Sequence, residues 1–177
     1  MTAEANEEAL PAQASKIINV LISYDAFTIK ERYPNPSQDP NNPTHVGHDL
    51  IYMTTRQDSI IGMPGAELNI AASPGDLIRW RETTLSLNFD YSALLYRYVS
   101  ADQHLISPPQ VRRIDARLPL PIPNSHEFET QDIEQHYWST EVLKLGTVTY
   151  RFFFQLLDGK NRLGFFQWDP FITIKPR

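Results

Sequence analysis

The feature that most constrains this chain is a row of apolar side chains at every second position: Val148, Tyr150, Phe152, Phe154 and Leu156. A strand points successive side chains to opposite faces, so this row makes one oily face of a strand and no face of a helix. Asp158-Gly159-Lys160-Asn161 follows and reads as a hairpin turn. The segment from Leu163 to Ile174 then returns as the partner, carrying Phe165, Phe166, Trp168, Phe171, Ile172 and Ile174.

The same period recurs upstream. Ile18, Val20, Ile22 and Tyr24 share a face of one strand, with Ile17 and Leu21 on the other face, so both sides are expected to be partly covered. Leu50 to Thr55 is the next strand. After a turn at Gly62-Met63-Pro64-Gly65, Leu68, Ile70 and Ala72 form another. Ser73-Pro74-Gly75-Asp76 is a turn in which Pro presets φ and Gly takes positive φ. Ile78 and Trp80 then share a face, opposite Arg79 and Arg81. Leu85, Leu87, Phe89 and Tyr91 alternate with Thr84, Ser86, Asn88 and Asp90, which predicts a half-buried strand. Leu94, Tyr96 and Tyr98 continue the theme, and residues 136–143 predict one more strand.

Prolines divide these segments. Pro34, Pro36, Pro40 and Pro43 remove backbone donors and predict a long loop over residues 30–49. Residues 100–126 form a second Pro-rich stretch. Its Leu118-Pro119-Leu120-Pro121-Ile122-Pro123 run fits polyproline II or an extended segment along a sheet edge. Arg112, Arg113 and Arg117 within it read as a solvated loop. Gly146 followed by Tyr150 suggests a tyrosine corner, with the phenol bonded to upstream backbone. About eight short strands with no convincing helical period predict an all-β, single-domain sandwich of Greek-key or jelly-roll type, spanning residues 16–177. Residues 1–15, acidic and without an apolar face, are expected to be a disordered tail.

Composition narrows the function. The net charge is -5, and a mildly acidic surface repels phosphate backbones, which argues against nucleic acid. The chain has no cysteine, so disulfides, thiolate metal sites and a Cys nucleophile are excluded. Its first residues lack the basic flank and apolar run of a signal peptide, and no apolar stretch reaches the length of a membrane helix. A cytoplasmic protein without a membrane span is the expectation.

No Gly-x-Ser-x-Gly elbow, phosphate loop or His-Glu-x-x-His pattern is present, and Asp132 and Glu134 lack a distinctive context, so no catalytic residue and no cofactor is predicted. His45 and His48 are the metal candidates, with His104, His126 and His136 available to complete a set. Three-residue spacing along a strand, however, would put the pair on opposite faces. Tyr52, Trp80, Tyr96, Tyr98, Trp138 and Trp168 are candidates for an aromatic cleft that binds a small molecule or glycan, and equally for sandwich core. In Trp168-Asp169-Pro170, Asp169 is expected to bond backbone around Pro170 while Trp168 packs over the sheet.

The run from Tyr150 to Ile174, and above all Gly164-Phe165-Phe166-Gln167-Trp168-Asp169-Pro170-Phe171-Ile172, resembles the ending of the AidA/PixA inclusion body protein family. Residues 17–22 resemble its first strand and residues 49–53 its second. Ser73-Pro74-Gly75-Asp76, leading to Trp80, resembles its glycine-aspartate segment before a tryptophan strand. The resemblance implies a bacterial, usually cytoplasmic β-sandwich with quorum-controlled expression, a part in host interaction and, in some members, crystalline inclusions. It brings no catalytic residues. Methionine-rich members exist, but this chain has three Met, which argues against methionine storage. The leading expectation is a non-enzymatic protein acting through self-association as a dimer or larger. A small-ligand or glycan-binding sandwich using the loops at 30–49 and 100–126 is the alternative, and a His-based metal enzyme a weaker one.

Overall fold

A computed structural model describes residues 15–100 and 104–176. The expected tail lies, apart from Ser15, outside the described residues. The strands are β1 (Ile17–Tyr24), β2 (Thr44–His45), β3 (Ile51–Thr54), β4 (Leu68–Ala71), β5 (Leu77–Thr84), β6 (Ser92–Ser100), β7 (Gln110–Pro121), β8 (Phe128–Glu141), β9 (Gly146–Asp158), β10 (Asn161–Trp168) and β11 (Phe171–Lys175). One helix, α1 (Ala26–Arg32), and one 3-10 turn (His48–Leu50) complete the described elements. The all-β fold expected from the alternating pattern is present, with eleven strands where about eight were expected.

Two mixed sheets face each other. The first has the order β3-β1-β5-β8-β7 and the second β2-β10-β9-β11-β4, with β6 also paired to β9. The pairs β1–β5, β2–β10 and β4–β11 are parallel. The hairpin at Gly159 joins β9 to β10 as its sequence predicts. The alternating row on β9 faces inward, and Phe152 is the centre of the core. It meets Trp80, Trp138, Tyr98, Tyr150 and Trp168, with ring centroids 5.2 to 6.5 Å away. Buried aromatic pairs at these separations stabilise beyond their apolar area alone.

Four expectations are corrected. Residues 85–90 are not a strand: β5 ends at Thr84 and the chain turns, leaving Leu87 and Phe89 71% and 86% exposed. The cause is local hydrogen bonding. Thr84 Oγ1 donates to the Tyr91 carbonyl (2.6 Å), and Asn88 Oδ1 accepts from the Thr84 amide (3.2 Å). Such side-chain bonds to nearby backbone compete with a ladder. A helix, which the pattern did not suggest, forms at α1 because Asp25 caps it, accepting from the Thr28 amide at 3.1 Å, while Ala26 and Ile29 bury.

Of the two forms expected for the Pro-rich stretch, polyproline II or an extended segment along a sheet edge, the structure has the second after residue 109. It runs as β7 along the edge of the first sheet, the position in which proline is tolerated. Arg112, Arg113 and Arg117 therefore stand on a strand and not in a loop. The tyrosine corner is absent as well. The Tyr150 hydroxyl points to Met53 Sδ at 4.0 Å inside the core.

Candidate interaction surface and functional residues

The six candidate aromatic residues fall into three environments. Trp80, Trp138 and Trp168 are buried, and Tyr98 packs against the same core. Tyr52 lies on the outer face of the first sheet and donates to the Asp49 carbonyl at 3.0 Å. Tyr96 lies on the outer face of the second sheet, edge-on to Phe165 at 5.3 Å, and donates to the Pro40 carbonyl at 2.9 Å. The loop of residues 34–43 is pinned there. Gln38 Nε2 donates to the Leu163 carbonyl at 2.8 Å, and the Phe165 amide donates to the Ser37 carbonyl at 2.8 Å. This loop packs on its own domain, so the six rings do not share one cleft.

The histidine pair behaves differently from its spacing. The chain leaves β2 after His45 and enters a 3-10 turn at His48, so the two imidazoles converge where a continuous strand would have separated them. Both Nε2 atoms lie 3.5 Å from Asp169 Oδ1, and His48 Nδ1 lies 3.9 Å from Glu67 Oε1. Asp169 thus faces two imidazoles, not the backbone around Pro170. Among the described residues no group of three or more His, Asp or Glu side chains is arranged to hold a metal ion. His136 is on the other sheet and engaged elsewhere.

That engagement lies at a branch point of the first sheet. β8 pairs with β5 only over Trp138–Glu141. Below Trp138 the ladder stops and side chains replace it. Arg81 donates to the His136 carbonyl, and Glu82 Oε1 meets His136 Nε2 at 2.5 Å. The Glu82 side chain is 1% exposed, and its Oε1 also accepts from the Leu95 amide at 3.3 Å. Burial, with Glu82 as a nearby negative charge, pushes the Tyr24 hydroxyl well above the usual phenol range.

From this point β7 and β8 continue as a two-stranded ribbon, paired as far as Pro121 with Phe128. Both faces of the ribbon mix apolar and polar side chains. One face carries Ile114, Ala116, Leu118, Leu120 and Ile133 interleaved with Arg112, Gln135, Gln131 and Glu129. The other carries the ion pairs Arg113–Glu134 and Arg117–Asp132, the latter at 2.7 Å. Nearly every β7 residue is exposed. At the ribbon's root a groove of about 350 Å³ is lined by Asn19, Arg79, Arg81, Ile114, Gln135 and Tyr137, among others. The Arg79 guanidinium lies 4.7 Å from the Tyr137 ring centroid, within cation–π range. Neither groove nor ribbon was legible as a site, because what makes them is the point at which β8 parts from β5.

A family model described as PixA, inclusion body protein, matches residues 16–174. The chain belongs to the PixA inclusion body protein family. A solved PixA structure, the inclusion body protein from Burkholderia cenocepacia J2315, has the same fold: TM-score 0.79 at 18% identity, over 94% of this chain and 100% of that one. Comparison with curated proteins found no match. The PixA match takes in all eleven strands apart from the last residue of β11, including both strands of the ribbon. No helix among the described residues is long and apolar enough to cross a membrane.

Proposed function

We propose that this PixA-family protein is a non-enzymatic, cytoplasmic protein that works by self-association, with quorum-controlled expression and a part in host interaction as its biological setting. The observation that carries the self-association is β7: a long edge strand, open to solvent, that presents Ile114, Leu118 and Leu120. An edge strand is a template for pairing with another chain, and natural sheets usually blunt or cover it. The exposed Leu85, Leu87 and Phe89 of the β5–β6 turn add apolar surface that a second copy would remove from water. Light scattering across a concentration series tests the reading: the mass rises above that of one chain, and a monomer at every concentration refutes it.

A second reading rests on the groove at the ribbon root. Two arginines beside Tyr137 and Ile114 suit a flat, anionic small molecule or an acidic glycan. Of the six aromatic residues singled out in the sequence, Trp80 lines it. A thermal-shift panel of such compounds tests this, since a ligand of the native state raises the melting temperature. Loss of any shift in an Arg79→Ala chain would place it in the groove.

A further inference from the structure

We propose that two copies of this chain join through their β7 edges, antiparallel, about a two-fold axis at Ile114; this rests on the self-association reading and specifies its surface. Three features of β7 bear on the register: proline and charge select it, and the face permits it. The first is proline. The proline-free run is Gln110–Leu118, with Pro109 before it and Pro119 after it. Ile114 is its midpoint, so a symmetric pairing there matches each residue of the run with another of the run and leaves both prolines outside the ladder.

The second is the face. Gln110, Arg112, Ile114, Ala116 and Leu118 lie on one side of the ribbon, and Val111, Arg113, Asp115 and Arg117 on the other. A two-fold pairing centred on any residue of β7 keeps each face on its own side, so the face permits this register and does not choose it. About this axis, Ile114 meets its own copy, Arg112 meets Ala116 and Gln110 meets Leu118, so aliphatic side chains alternate with longer polar ones across the seam.

The third is charge. In this register Arg113 of each copy lies opposite Asp115 of the other. Moving the centre to Arg113 would oppose Arg113 to itself, and moving it to Asp115 would oppose Asp115 to itself; like charges directly opposite destabilise a pair. Moving it to Ala116 brings Pro119 into the ladder. Asp115 has reason to take a partner. Within the chain it stands across from Glu134, another carboxylate, and among the described residues it forms no ion pair. The Arg113 guanidinium already reaches Glu134, so in the pair of copies each arginine would lie between two carboxylates.

Pairing also answers a question of stability. Past Trp138 the ribbon has only two strands, and two strands alone are marginal in water. Joined edge to edge, two ribbons make a four-stranded antiparallel sheet. The contact is isologous and closed, so it makes a dimer; growth into larger inclusions would use other surfaces.

The full chain has no cysteine, which makes the test direct. In the paired strands the two Ile114 Cα atoms would lie about 4.5–5.5 Å apart, within disulfide reach. Ile114→Cys should therefore cross-link into a dimer under mild oxidation. Ala116→Cys should not, because its copy would lie four residues away, about 13 Å along the strand. Separately, Arg113→Asp should weaken the dimer by about tenfold, and adding Asp115→Arg should restore it. If the protein associates but Ile114→Cys fails to cross-link, or Ala116→Cys cross-links equally, or charge reversal changes nothing, this interface is wrong while self-association stands. A monomer at every concentration removes both.

Discussion

Glu82 is a carboxylate placed in the oily space between two sheets, and His136 is the group that makes this tolerable. Removing one member of such a pair leaves an uncompensated buried group. His136→Ala is therefore expected to lower the unfolding free energy by about 3 kcal/mol at neutral pH, read from urea denaturation. The double variant with Glu82→Gln should recover most of the loss, because no buried charge is then stranded. If the two single changes simply add, the pair is not coupled. The buried phenols of Tyr24 and Tyr150 set a second expectation. Burial is the main cause that raises both from an ordinary value of 10.0. The folded state then holds protons that the unfolded chain gives up above that pH, so stability is complete below pH 10 and falls as pH rises past it. Tyr150→Phe should make the alkaline fall in melting temperature shallower; an unchanged slope would show that other groups govern it. Gly164 is constrained by contact: a Cβ there would lie 2.5 Å from Pro36 Cγ. Gly164→Ala should lower stability by about 1–3 kcal/mol and loosen the loop of residues 34–43, measured by faster amide exchange of Phe165.

At the scale of elements, the β5–β6 turn and the ribbon show how far side-chain alternation carries. The row from Val148 to Leu156 was legible because burial alone decides it: every second residue enters the core. The equally regular row from Leu85 to Tyr91 misleads, because Thr84, Ser86 and Asn88 spend their hydrogen bonds on the local backbone and fold the segment into a turn. Leu87 there adopts a φ of 57°, costly for a residue with a Cβ. Leu87→Gly is therefore expected to be neutral or stabilising by about 0.5 kcal/mol, whereas in a half-buried strand it would cost stability; a shift in the denaturation midpoint decides. Asp25 caps α1, and Ala26 and Ile29 are its buried face, but seven helical residues are too few to show a period in the sequence. The meeting of His45 and His48 at Asp169 was not legible, since it depends on a turn between them and on a residue brought in by β10 and β11.

The whole molecule is a closed two-sheet core with one open end. The core was readable from the chain because water and oil sort its side chains. The ribbon was not, because an exposed strand with alternating Arg, Ile, Asp and Pro has no burial signal to mark it. That same exposure is what the proposed self-association rests on. Light scattering of the full chain over a wide concentration range measures this most directly. The mass should climb from one chain toward two or more as concentration rises. A mass of one chain throughout would contradict the account.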